Sequence, residues 1–64
     1  MCESNVYLKQ GDHEELVMEN VAAITPAENG VYVLRGLLGD MKEIKGTLAD
    51  INLMAHRIVF TDAS

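Results

Sequence analysis

The stretch "PAENGVYVLRGLLGD" (residues 26–40) decides the fold, because it sets a β-rich run between two glycine turns. Its "ENG" is a strong hairpin signal, since asparagine and glycine tolerate positive φ angles. In the run that follows, Val31 and Val33 alternate with Tyr32 and Leu34. That period of two is typical of a half-buried strand. The stretch therefore predicts one strand between two reversals of the chain.

Other glycines indicate turns and bends along the rest of the chain. Gly11 lies in a predicted turn, and Gly39 begins a second tight turn. Gly36 and Gly46 fall inside β-rich runs, where a glycine indicates a bend. The apolar pattern also shifts by one position within residues 21–24, which predicts a bulge or corner there.

Alternating apolar residues extend this pattern outward on both sides, in "SNVYLKQ", "HEELVMENV", "MKEIKGTLADIN" and "HRIVFTD". Helix is the competing interpretation for residues 11–24, where several side chains also share a helical stripe. Short strands joined by glycine turns favour one all-β domain over residues 1–64, a small antiparallel β-barrel of about six short strands. The predicted core comprises Val6, Leu8, Leu16, Met18, Val21, Ile24, Val31, Val33, Leu38, Ile44, Leu48, Ile51, Ile58 and Phe60.

The small size of the chain predicts that something besides its core contributes to stability. A domain of 64 residues buries only about 60% of its unfolded surface. Such domains often rely on disulfides, a metal or a partner subunit. The single cysteine excludes an intrachain disulfide. A metal or a second copy of the chain remains, although a well-packed barrel can also stand alone.

Charge and hydropathy limit the classes of partner. Ten acidic and five basic residues give a net charge of −5, and the cations are scattered, which disfavours a nucleic-acid role. No stretch approaches the roughly 20 apolar residues of a membrane span. Glu3 stands where a secretory signal has lysine or arginine. We therefore expect a cytoplasmic protein with a reduced thiol.

No pattern in the sequence supports catalysis. A dyad of Cys2 and His13 would place its nucleophile on a terminus without rigid support. The glycines lack the lysine and spacing of a phosphate-binding loop. His13 and His56 both fall at predicted turns, where hydrogen bonding to the backbone is the plain interpretation and a metal-facing role the alternative. The chain is therefore not expected to be an enzyme.

Cys2, the only cysteine, stands beside the terminal amine of Met1. That amine, the amide nitrogen of Cys2 and its sulfur can close two five-membered chelate rings around a metal. Planar nitrogen and sulfur donors suit Ni(II) or Cu(II). We predict Cys2 as the metal ligand, with the main-chain amine of Met1, Glu3 and His13 as additional donors if the fold brings them close. The alternative is an inert Cys2 that packs as a small apolar residue.

A single chelate of this kind leaves a planar position open. A second chain related by two-fold symmetry could fill it with its own Cys2, which predicts a homodimer holding one Ni(II). The alternative function is a small RNA-binding or protein-interaction β-barrel without metal. RNA binding would have to use Lys42, Lys45 or Arg57.

Four segments together resemble the CooT family: "MCESNVYL", "EELVMENVAAI", "GVYVLRGLLGD" and "GTLADINLMAHRIVF". The resemblance covers essentially the whole chain. It implies an SH3-like or KOW-like small β-barrel, a homodimer, and nickel bound through Cys2. It also implies an accessory role in the maturation of carbon monoxide dehydrogenase, with a nickel enzyme or another nickel-maturation protein as recipient. Only Cys2 carries over as a ligand.

Overall fold

The computed structural model describes residues 3–62, which form an all-β domain. The strands are β1 (Ser4–Gln10), β2 (His13–Pro26), β3 (Val31–Gly36), β4 (Met41–Asn52) and β5 (Arg57–Asp62). A short 3-10 turn at Glu28–Gly30 joins β2 to β3. The all-β prediction is confirmed, and the helical alternative for residues 11–24 is wrong. Within residues 3–62, no helix has the length and apolar character needed to cross a membrane.

The described strands number five, where the sequence predicted about six, because β2 and β4 are long and bent. β2 has 14 residues and β4 has 12. The strands close into a ring in the order β1-β2-β3-β4-β5. Neighbours run antiparallel except β1 and β5, which close the barrel in parallel, with Asn5 opposite Arg57 and Lys9 opposite Thr61.

Both long strands change partners at the predicted irregularities. β2 pairs with β1 as far as Val21 and with β3 from Val21 onward, with a register shift between Val21 and Ala23. β4 pairs with β3 up to Lys45 and with β5 from Gly46. A Cβ at Gly46 would collide with the carbonyl oxygen of Thr61, so this close crossing requires glycine. The bulge and the glycine bend predicted from the sequence are therefore confirmed.

The exchange of partners divides the one closed sheet into two halves, which we call the first and second sheets. The first sheet holds the amino-terminal half of β2, then β1, β5 and the carboxyl-terminal half of β4. The second sheet holds the other half of β2, then β3 and the other half of β4. Each half of β2 and β4 therefore has a paired strand on one side only, among the residues described. These open sides position the surfaces discussed below.

The core lies between the two sheets. Val6, Leu34 and Phe60 are fully buried, and the rings of Tyr32 and Phe60 pack at an interplanar angle of 55° with centroids 4.8 Å apart. Predicted core residues that are buried, or partly buried against the core, are Val6, Leu8, Met18, Val21, Ile24, Ile44, Ile58 and Phe60.

Four predicted core residues are instead exposed. Leu16 pairs with Tyr7, on the outer face of the first sheet, and Leu38 lies in the β3–β4 turn. Leu48 and Ile51 pair with Phe60 and Ile58, and so point to the core side. They remain exposed because the carboxyl-terminal half of β4 is the edge of the first sheet, beyond the cover of the second.

The sequence also assigned the wrong face of β3 to the core. Leu34 is fully buried and Tyr32 packs against the core, whereas Val31 and Val33 are only half-buried. An alternating strand has two candidate faces, and its β-branched face was taken as the inner one. Val59 is a further buried residue that the sequence did not predict. It pairs with Tyr7, on the outer face of the first sheet.

Candidate metal-binding end of the barrel

The start of β1 is held between the β4–β5 turn and the bend of β2. Ser4 is buried and pairs with Val21 of β2. The backbone N–H of Asn5 donates to the carbonyl oxygen of His56 over 2.9 Å. The side-chain oxygen of Asn5 accepts a hydrogen bond from the backbone N–H of Asn20 over 3.2 Å. The entry to β1 is therefore fixed on both sides.

Both flanking segments contain a residue with left-handed backbone. Asn20 has φ 53° and His56 has φ 57°, and asparagine and histidine are enriched in this region among non-glycine residues. The β4–β5 turn is also stabilised by Asn52, whose side-chain oxygen accepts the N–H of Ala55 over 3.0 Å. Such asparagine-backbone bonds favour a tight turn over a continued strand.

The predicted ligands are distributed along the length of β1. Cys2 and Met1 lie outside the described residues. Glu3 is half-buried and immediately precedes β1. His13 pairs with Gln10, at the opposite end of this seven-residue strand. At about 3.3 Å per residue, β1 separates these ends by about 20 Å. Within one chain the structure therefore keeps Glu3 and His13 apart.

His56 is the histidine whose backbone lies at the start of β1. The sequence analysis treated it as a turn histidine and left its metal-facing role as the alternative. The parallel pairing of β1 with β5 places it here, and no sequence pattern indicates that pairing. Among residues 3–62, no three side chains of histidine, cysteine, aspartate or glutamate group closely enough to hold a metal ion.

The surface beside the start of β1 exposes several large apolar side chains. A depression of about 250 Å³ is lined by Ser4, residues 21–24, Leu53 and Ile58. Beside it, Leu53 and Met54 are 64% and 93% exposed. Ile51 is also exposed and pairs with Ile58. We call the surface formed by Ser4, Ile51, Leu53 and Met54 the amino-terminal face.

Two of the three cations that RNA binding would require are engaged within the protein. The guanidinium of Arg57 donates to the carboxylate of Glu14 and lies 4.4 Å above the ring centroid of Tyr7. The hydrogen bond to Glu14 is the largest cause of a raised pKa at Arg57. The ammonium of Lys42 donates to the carbonyl oxygen of Val17 over 3.1 Å. These contacts reduce the charge available to phosphates.

Comparison with known proteins gives one family and one solved structure. The sequence profile of the family described as "CO dehydrogenase accessory protein CooT" matches residues 1–61. A crystal structure assigned to CooT of Carboxydothermus hydrogenoformans is similar, with 33% sequence identity and a TM-score of 0.90. The match covers 98% of this chain and 100% of that one. No curated protein matches the sequence.

Proposed function

Since this chain belongs to the CooT family of CO dehydrogenase accessory proteins, we propose that it is a homodimeric nickel carrier. Each chain contributes the thiolate of Cys2, and the dimer delivers one Ni(II) to a metalloenzyme. The main support is the position of the only thiol, three residues before Asn5, whose backbone and side chain are fixed beside an exposed apolar face.

The covalent chain keeps the thiol near this face. A polypeptide spans at most about 3.6 Å per residue, so Cys2 stays within about 11 Å of Asn5. His13 pairs with Gln10 at the far end of β1, about 20 Å from Ser4, which disfavours it as a donor beside the Cys2 of its own chain. Glu3, the residue after Cys2, remains a donor candidate.

The amino-terminal face supports the dimer. Leu53, Met54 and Ile51 are large apolar side chains and all are exposed. A contiguous exposed apolar patch commonly marks a protein interface. A two-fold axis through such a patch brings equivalent residues of the two chains together. Two Cys2 residues would then lie close enough to share one metal.

The donor set suits nickel as cargo. Two thiolates with main-chain nitrogens supply the planar sulfur and nitrogen ligation that Ni(II) accepts. Copper binds such a donor set more tightly than nickel does, so selection of nickel depends on which metal is supplied. Each thiolate must lose its proton before it binds, so acid releases the metal.

Titration with Ni(II) tests this proposal. We expect sulfur-to-nickel charge-transfer absorption that saturates at half an equivalent of Ni(II) per chain. Cys2→Ser should lose the absorption while keeping the wild-type circular dichroism spectrum and sedimentation coefficient. His13→Ala, at the far end of β1, is the matched control and should bind nickel as the wild type does.

Two outcomes would contradict the proposal. Nickel binding by Cys2→Ser at wild-type strength would leave Cys2 as a small apolar residue. Saturation at one equivalent per chain, in a protein that sediments as a monomer, would remove the shared site.

A further inference from the structure

The amino-terminal half of β2 is an open sheet edge. Among the described residues it pairs with β1 alone. Its free side is bounded by the β3–β4 turn, where the N–H of Leu37 donates to the carbonyl oxygen of Asn20 over 2.9 Å. The carbonyl oxygen of Val17 also points to this side, since it accepts the ammonium of Lys42. Backbone groups on such an edge can pair with another strand.

A groove runs along this edge. It has a volume of about 450 Å³ and lies between residues 17–20 of β2 and the β3–β4 turn. Its apolar wall carries Leu37, Leu38 and Met41, which are 53%, 94% and 58% exposed. We call this surface, formed by residues 17–20, Leu37, Leu38, Asp40, Met41 and Lys42, the edge groove.

The charge of this edge indicates its partner. Residues 11–20 include Asp12, Glu14, Glu15 and Glu19, with no lysine or arginine. In the groove itself, Asp40 and Glu19 supply two carboxylates beside the single cation of Lys42. Pairing two copies through this edge would align two acidic strands, and like charges opposite one another destabilise a sheet. A strand that carries lysine or arginine gains from the same arrangement.

We propose that the edge groove binds an extended, basic segment of another protein as an added β-strand. The backbone of the segment pairs with the open side of β2, as in other cases of strand addition. Its apolar side chains, at every second position, pack on Leu37, Leu38 and Met41. Its cations lie beside Glu19 and Asp40. This inference uses neither Cys2 nor the dimer, so it does not rest on the proposed function.

The side chain of Lys42 partly blocks this groove. Its ammonium occupies the carbonyl oxygen of Val17 that an added strand would use, and it also repels a basic segment. Lys42→Met should therefore tighten binding about tenfold. Lys45→Met removes the same charge from the same strand without that contact, and should tighten binding about twofold.

Selection from a library of random linear peptides, about nine residues long, tests the proposal with the full-length chain as bait. We expect a consensus in which apolar residues alternate with lysine or arginine. The best synthetic peptide, added to isotope-labelled protein, should shift the amide signals of residues 15–20 and 37–42. Leu38→Ala should weaken its binding at least fivefold. Met54→Ala, an equally exposed apolar residue on the amino-terminal face, should leave it unchanged.

Several outcomes would overturn the proposal. These are the absence of any enriched consensus, an acidic or proline-rich consensus, and amide shifts centred on the amino-terminal face. Equal weakening by Leu38→Ala and Met54→Ala, or equal effects of Lys42→Met and Lys45→Met, would do the same. If dilution of the protein alone shifted the amides of residues 15–20, the edge would pair with a second copy of the chain instead.

Discussion

Two open corners of the barrel border β2, one at the amino-terminal face and one at the edge groove, and they differ in composition. The depression beside the amino-terminal face is lined by apolar residues and Ser4. The edge groove has the apolar Leu37, Leu38 and Met41, and also Glu19, Asp40 and Lys42. An apolar face without charges is typical of a surface that stays covered, whereas a charged rim is typical of one that exchanges partners. One long strand thus borders two surfaces that suit different kinds of contact.

Asn20 connects the two corners. Its N–H donates to the side chain of Asn5, at the start of β1, and its carbonyl oxygen accepts the N–H of Leu37, in the β3–β4 turn. The left-handed backbone of Asn20 aims these two groups at different neighbours. A substitution at Asn20 would disturb both corners. Variants designed to test one corner alone must therefore leave Asn20 intact.

The two corners should differ most in how their ligand affinities respond to acid. The proposed nickel site uses two thiolates, and the pKa of a free thiol is about 8.5. Below that pH each thiolate releases one proton on binding, which alone should lower the affinity for Ni(II) about 100-fold per pH unit, and protons lost from the main-chain nitrogens make the fall steeper. Peptide binding in the edge groove, which relies on backbone pairing, should change little between pH 7.5 and 6.5. Isothermal titrations of both ligands at these two pH values measure the difference. A pH-independent nickel affinity would contradict thiolate ligation.

Aspartate substitutions should show which of the two surfaces forms the dimer interface. Leu53→Asp places a charge in the proposed dimer interface and should raise the dimer dissociation constant about 30- to 100-fold, the equivalent of about 2–3 kcal/mol. Leu38→Asp changes an equally apolar, exposed residue in the edge groove and should leave the dimer intact. Sedimentation equilibrium measures both. If Leu38→Asp dissociates the dimer and Leu53→Asp does not, the two surfaces have been assigned in reverse.

A β-branched residue at the bend of β2 should lower the stability of the protein. Asn20 has φ 53°, and a left-handed residue with a branched side chain costs about 1–2 kcal/mol. Asn20→Val should lower the free energy of unfolding by this amount in urea titrations, and Asn20→Gly should cost much less. Equal stability of the two variants would show that the bend does not require this backbone conformation.

The smallest effect should come from the outer face of the first sheet. Arg57→Met removes the exposed pair with Glu14 and the contact with Tyr7. Exposed ion pairs contribute little and are screened by salt. We expect a slight loss of thermal stability that disappears at high salt, with dimerisation and peptide binding unchanged. A change in dimerisation or in peptide binding would show that the corresponding binding surface includes Arg57.

Local turn chemistry made much of the fold predictable. The "ENG" turn carries Asn29 at φ 60° and Gly30 at φ 73°, as its composition indicates. The glycine bend of β4 and the irregularity in β2 were also evident from residue type and shifted periodicity. In contrast, which face of β3 packs inward depends on the opposing sheet, and the exposure of Leu48 and Ile51 depends on where that sheet ends. Neither property is local.

The candidate site likewise has a local part that the sequence predicts and a non-local part that it does not. Cys2, Met1 and Glu3 are adjacent in sequence, so their grouping is a covalent fact. The placement of His13 and His56 depends on register. The β1–β2 hairpin takes His13 to the far end of β1, and the parallel pairing of β1 with β5 brings the backbone of His56 to its start. Pairing between residues about fifty positions apart leaves no periodic signal in a single sequence.

That parallel pairing also sets when the protein can form during its synthesis. β1 is made first, yet one of its two neighbours is β5, so the barrel cannot close until residue 62 has left the ribosome. Until then one side of β1 lacks its partner. Sequence-distant pairings of this kind slow folding, typically to milliseconds or longer. Under the proposed function, loading of nickel at a site shared by two chains would therefore follow both translation and the meeting of two finished chains.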